Sequence, residues 1–119
     1  MNKMIIVTLA SAGVLLAGCG GVSAVTRERV ARSDSVVQQS QQTVGNAEAG
    51  ALEMQRAREL LDSAHKQIDQ KNAVAAERLA EQAQLTAELA VAKTQSAQAR
   101  KAADELMASI ETLRQEAGR

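Results

Sequence analysis

The chain has 119 residues with 14 basic and 14 acidic side chains, one His, one Cys, and no Phe, Tyr, Trp or Pro. Balanced charge argues against a general nucleic-acid binder, and the missing aromatics remove the stacking platforms that bases and sugars use. From Cys19 onward Leu, Ile and Val make up only 18 of 101 residues, too few for a thick core, whereas Ala, Glu, Gln, Arg and Leu, all strong helix formers, dominate. The expected fold is therefore all-α. It is an elongated antiparallel helical hairpin or three-helix bundle, coiled-coil-like, with a long C-terminal helix.

The chain opens with Lys3 and a mostly apolar run from Ile5 to Ala17. That is the layout of a secretory signal, and it is shorter than the roughly twenty apolar residues a membrane-spanning helix needs. The run ends in Leu16-Ala17-Gly18-Cys19, which resembles the lipobox of bacterial lipoproteins. The resemblance implies cleavage between Gly18 and Cys19 and a lipid on the Cys19 thiol. A lone cysteine in an exported chain would otherwise be an unpaired thiol in an oxidising compartment. Residues 1–18 are thus expected to be a signal peptide and 19–24 a lipidated tether, with an Ala-rich helical domain over 25–117. Gly20 follows the cysteine, where an Asp would imply inner-membrane retention by resemblance to enterobacterial lipoproteins. The expected location is the outer membrane, facing the periplasm.

The first helix is expected over Val25–Thr43, with Val30, Val37 and Val44 giving a narrow apolar stripe. Gly45-Asn46 reads as a turn, with Gly50 loosening the same joint and Asn46 available to cap the next helix. The second helix starts at Ala47 or Ala51 and ends near Gln70. Its Gly50, Met54, Ala57, Leu61, Ala64 and Ile68 alternate steps of four and three, the pattern of a coiled-coil seam. Lys71-Asn72 reads as a second turn, although one uninterrupted helix from Ala51 onward is an open alternative.

The third helix is expected over Ala73–Ala117, about 65 Å at 1.5 Å per residue. It carries a seam of small residues, Ala76, Ala80, Ala83, Ala87, Ala90, Thr94 and Ala97. A second seam runs through Leu85, Leu89, Ala92, Ser96, Ala99, Ala103, Leu106, Ile110 and Leu113. Two seams suggest two neighbours. The second helix is too short to cover the third beyond about Thr94. Leu106, Ile110 and Leu113 would need the first helix or another protein to bury them. Leu85, Leu89, Leu106, Ile110 and Leu113 are therefore the candidate interaction seam.

Between Arg27 and about Leu106 the chain resembles a family known as domain of unknown function 4398. The likeness is carried by Gln55-Arg56-Ala57-Arg58-Glu59-Leu60-Leu61-Asp62-Ser63-Ala64, by Ala75 to Ala83, and by Ala87 to Lys93. The resemblance implies an Ala-rich helical lipoprotein of a Gram-negative envelope. Some members carry an OmpA-like peptidoglycan-binding domain after the helices. Here the sequence ends at Arg119 and lacks the Pro that members often have near the second helix. Binding to the cell wall through such a domain, or covalently through a terminal Lys, is not expected.

Side chains that could do chemistry are sparse. His65 has no Cys, second His or clustered carboxylates at ligand spacing, so it reads as a solvent-facing helix residue. Glu77, Glu81 and Glu88, with Arg78, read as a solvated face. Arg27, Arg29 and Arg32 lie close to the lipid anchor, where they could touch anionic head groups. No catalytic residues, metal site, small-molecule substrate or nucleic-acid partner is expected, and no cofactor beyond the covalent lipid on Cys19. The expected function is non-enzymatic: a structural or protein-interaction module anchored to the outer membrane, which associates with itself or with another envelope protein. The alternative is an accessory or regulatory subunit of an envelope machine or enzyme.

Overall fold

The computed structural model describes residues 21–119; the expected signal peptide over 1–18, with its cleavage and lipidation residues Gly18 and Cys19, lies outside the described residues. Three helices follow in order: α1 (Ala24–Val44), α2 (Ala51–Asp69) and α3 (Ala73–Ala117). A single 3-10 turn, Glu48–Gly50, leads into α2. No strand occurs among the described residues.

Local chemistry sets each boundary. Ser23 caps α1, its side chain accepting from the Thr26 amide at 3.2 Å. Gly45 ends α1 at φ 54°, a conformation that glycine adopts without the clash a Cβ would bring. Between α2 and α3, Lys71 holds the left-handed conformation at φ 60°. The Asn72 amide donates to the Gln67 carbonyl at 2.9 Å and the Lys71 amide to Ile68 at 3.0 Å, the paired bonds of a Schellman ending. Asn72 then caps α3, its side chain accepting from Ala75 N at 3.3 Å. One dipeptide thus closes one helix and opens the next, which excludes an uninterrupted helix from Ala51. Asn46 was the expected cap of α2, but the 3-10 turn intervenes and α2 has no side-chain cap.

Both α1 and α2 pack on the proximal half of α3. Thr26 and Arg29 of α1 bond to Glu77, so α1 runs parallel to α3. On the other side Lys93 of α3 bonds to Glu53 of α2, so α2 runs antiparallel. Buried positions on α1 are Thr26, Val30, Ser33, Val37, Ser40 and Val44, on the same alternation of four and three as the seams of α2 and α3. The stripe of valines on α1 is therefore half of a full seam whose other half is hydroxyl-bearing.

The register set by these contacts lines the seams up in layers. Thr26 falls level with Ile68 and Ala76, Val30 with Ala64 and Ala80, and Ser33 with Leu61 and Ala83. Val37 then falls level with Ala57 and Ala87, Ser40 with Met54 and Ala90, and Val44 with Gly50 and Thr94. The apolar members form two clusters, one built on Val37, Met54, Leu61 and Ala87, the other on Val30, Ala64, Ala76 and Ala80. Down the bundle, α1 and α2 take turns supplying the large side chain, and α3 supplies a small one throughout. Each layer thus fills a similar volume, as close packing of a thin core requires.

Gly50 completes the last layer, and it is not a loose joint. It is buried, and a Cβ there would collide with the Ala90 carbonyl oxygen and the Thr94 hydroxyl. The backbone of the α1–α2 connection therefore sits directly on α3, and only glycine permits that approach.

Two polar ties clamp the layers. The Glu77 carboxylate accepts from the buried Thr26 hydroxyl at 2.6 Å and from Arg29 at 2.8 Å. The Thr26 hydroxyl, aided by the Arg29 charge, holds the Glu77 carboxyl below its ordinary pKa. The hydrogen bond from Lys93 does the same for Glu53.

Two outcomes follow from this packing. Val37→Ala and Ala57→Val, singly, should each lower stability by about 1–3 kcal/mol, by cavity and by overpacking respectively. The double variant should recover at least half of the summed loss in urea or thermal denaturation, because the large side chain is restored to the same layer. A carboxyl with a depressed folded pKa stabilises the fold above its unfolded pKa and loses that contribution as pH falls through the folded value. Glu77→Gln should therefore flatten the loss of stability below about pH 4.5 in melts across acid pH.

Candidate protein-interaction face

Beyond Thr94 only the Ala47–Ala49 connection still borders the helix, in open grooves with Ala97, Gln98 and Lys101. Every residue from Gln95 to Arg119 is exposed, so about 35 Å of α3 projects past the hairpin. Continuing the buried seam of α3 past Thr94 in the same alternation gives Ala97, Lys101, Asp104, Ala108, Glu111 and Gln115. Four of these six are charged or amide side chains, and the face that packs α1 and α2 stops being apolar at the level where those helices end. Ala97, expected in the buried seam, is exposed for this reason.

The candidate seam occupies a different face. If the buried positions of α3 are heptad a and d, Leu85, Leu89, Leu106, Ile110 and Leu113 fall on c and f, roughly 150° around the helix. All five are exposed, from 42% for Ile110 to 63% for Leu113. The expectation of two neighbours on two seams is corrected accordingly. Both neighbours straddle the single small-residue seam, and α1 lies beside the proximal half of α3, on the wrong face and at the wrong level to cover Leu106.

The stripe does not begin abruptly. Leu85 and Leu89 share an open groove with Leu52 and Leu60 of α2, so apolar surface continues from the hairpin onto the projecting helix. Met107, 62% exposed, flanks the stripe and was not among its expected members because it falls off the alternation of four and three. An apolar line of this length, with charged residues on the remaining faces, is suited to receiving another helix.

The remaining candidates are drawn elsewhere. His65 is exposed and lies 4.0 Å from Asp34. No group of His, Cys, Asp or Glu among the described residues could hold a metal ion. Glu77, expected on a solvated face, instead ties α1 to α3, and Arg29 is taken up in that tie. Arg32 pairs with Glu28 at 3.6 Å. No described helix is long and apolar enough to cross a membrane.

Because the distal stripe touches nothing in its own chain, Leu106→Glu and Ile110→Glu should leave the hairpin intact. Urea denaturation midpoints should stay within about 0.5 kcal/mol of the parent, as for other exposed substitutions, whereas Met54→Ala should cost about 2–5 kcal/mol. A large loss from the distal changes would mean that the stripe is buried within the chain after all.

Comparison with curated proteins and with solved structures finds no match at a meaningful level. One family model does match, over residues 28–106, and its span takes in most of α1, all of α2 and α3 as far as Leu106. The matched region thus contains the layered bundle apart from Thr26 of its first layer, and the first part of the projecting stripe. The chain belongs to the family described as a domain of unknown function, DUF4398.

Proposed function

We propose that this protein is a non-enzymatic lipoprotein of the bacterial outer membrane. In this reading it is held by lipid on Cys19 and presents a helical interaction seam to the periplasm. The carrying observation is the exposed apolar stripe on the unpaired half of α3. The start of α1, the α2–α3 turn and the start of α3 all lie at one end of the hairpin, while the stripe runs toward the other. Ser23, which caps α1, is only four residues past Cys19 in sequence. An anchor at Cys19 would therefore hold the hairpin end close to the membrane and leave the distal stripe facing away from it.

The lipobox, the short apolar run before it and the single cysteine support the anchor. Two or three acyl chains give stable attachment at about 0.8 kcal/mol per buried CH₂.

The anchor is tested by metabolic labelling with a palmitate analogue, followed by membrane fractionation. The parent should take up label and sediment with the outer membrane, and Cys19→Ser should do neither. The seam is tested in the same cells by a photo-crosslinking amino acid at Ile110. Adducts, to itself or to another envelope protein, should form from Ile110 and not from the solvated position Lys101. Unlabelled parent protein would remove the lipoprotein reading, and silence at Ile110 would remove the interaction module.

A further inference from the structure

The occupant of the stripe can be named. We propose that the Leu85–Leu113 face of α3 pairs with the same segment of a second copy of this chain, parallel and in register, as a two-stranded coiled coil. The proposal rests on reading Leu85–Leu113 as an interaction seam, but not on the lipid anchor.

Taken as a seam in its own right, the stripe sustains its alternation over about four heptads, the length at which a coiled coil becomes a strong reading. Leu85, Ala92, Ala99, Leu106 and Leu113 take one core position, d. Leu89, Ser96, Ala103 and Ile110 take the other, a. The best-packed stretch has branched Ile110 at a between Leu106 and Leu113 at d, the combination that favours parallel dimers. Ala92, Ser96, Ala99 and Ala103 keep the middle narrow, so two helix backbones can approach there.

Charge on the flanks selects the direction. Residues just before the a positions are Glu88, Gln95, Ala102 and Ser109; those just after d are Thr86, Lys93, Arg100, Met107 and Arg114. One rim is acidic to neutral and the other is mostly basic. In a parallel pair each residue of the first rim meets the partner's residue five further on. Glu88 then faces the partner's Lys93, a cation already bonded to Glu53 on its own α2. Ala102 faces the partner's Met107, which accounts for a large exposed side chain beside the stripe. An antiparallel pair would instead set the basic rim against itself, with Arg100 beside the partner's Arg100. The seam that packs α1 and α2 lies roughly 150° around α3, and α2 borders this face only at the open groove of Leu52 and Leu60, so a second copy displaces neither helix.

The test uses the full-length protein in mild detergent. Sedimentation equilibrium should give a dimer, and Ile110→Glu should weaken self-association at least about tenfold while leaving the thermal melt of the hairpin unchanged. Oxidation of Ile110→Cys should give a covalent dimer beyond any formed by the parent, whose Cys19 is the control. Differently tagged Leu89→Cys and Leu113→Cys chains should not join to each other, because those a and d positions meet only in the antiparallel arrangement. A monomer, or preferential joining of Leu89→Cys to Leu113→Cys, would overturn the proposal. A monomer that crosslinks in cells from Ile110 to a different envelope protein would overturn the second copy and leave the interaction module standing. A monomer that crosslinks to nothing would remove both.

Discussion

Close approach of three helices along one row of small side chains is the constraint on which the rest of the structure depends. Ala76, Ala80, Ala83, Ala87 and Ala90 are all at most 1% exposed. An alanine buries little apolar surface, so such a row contributes modestly to the hydrophobic driving force. What it contributes is room. With no long side chain in the way, α1 and α2 lie close against α3 and fill each layer with one large residue from alternating sides. The Ala90 carbonyl beneath Gly50 is the same constraint applied to backbone: the connection between α1 and α2 is seated where no side chain can stand between the chains.

Thin layers leave little margin, and the polar ties are placed accordingly. Glu77 joins α1 to α3 near the start of the bundle, and Glu53 with Lys93 joins α2 to α3 near its far end. Exposed pairs contribute little energy on average. Their position near the two ends of the layered region gives them a role in register, because a shift of one turn along the alanine row would cost few apolar contacts but would break both ties.

Much of this was legible before any coordinates. The seams of α2 and α3 announce themselves because their members, Thr94 apart, are apolar or glycine, and the start of α3 follows from Lys71-Asn72. The seam of α1 is half hidden, since Thr26, Ser33 and Ser40 are buried at positions where hydropathy marks nothing; they are buried because Ile68, Leu61 and Met54 take the space opposite. Gly50 reads as a loose joint beside Gly45-Asn46, and only the approach of Ala90, forty residues away, shows it to be tightly packed. Glu77 reads as solvated because its partners lie 48 and 51 residues earlier. The distal stripe was visible as a periodicity. That no helix of the chain could reach it needed the phase between two seams, which depends on which seam the hairpin occupies.

That phase gives α3 a kind of gearing. Its exposed segment is a ruler with an orientation mark at the tip. Seven residues inserted after Thr94 would extend the reach by about 10 Å and keep the marked face pointing nearly the same way, whereas four would add about 6 Å and swing it by roughly 40°. Length and heading can therefore be altered by insertions that never enter the layered bundle. Variation in this segment, among chains that share the hairpin, would retune what the tip can reach and which way it faces while the folding problem stays unchanged.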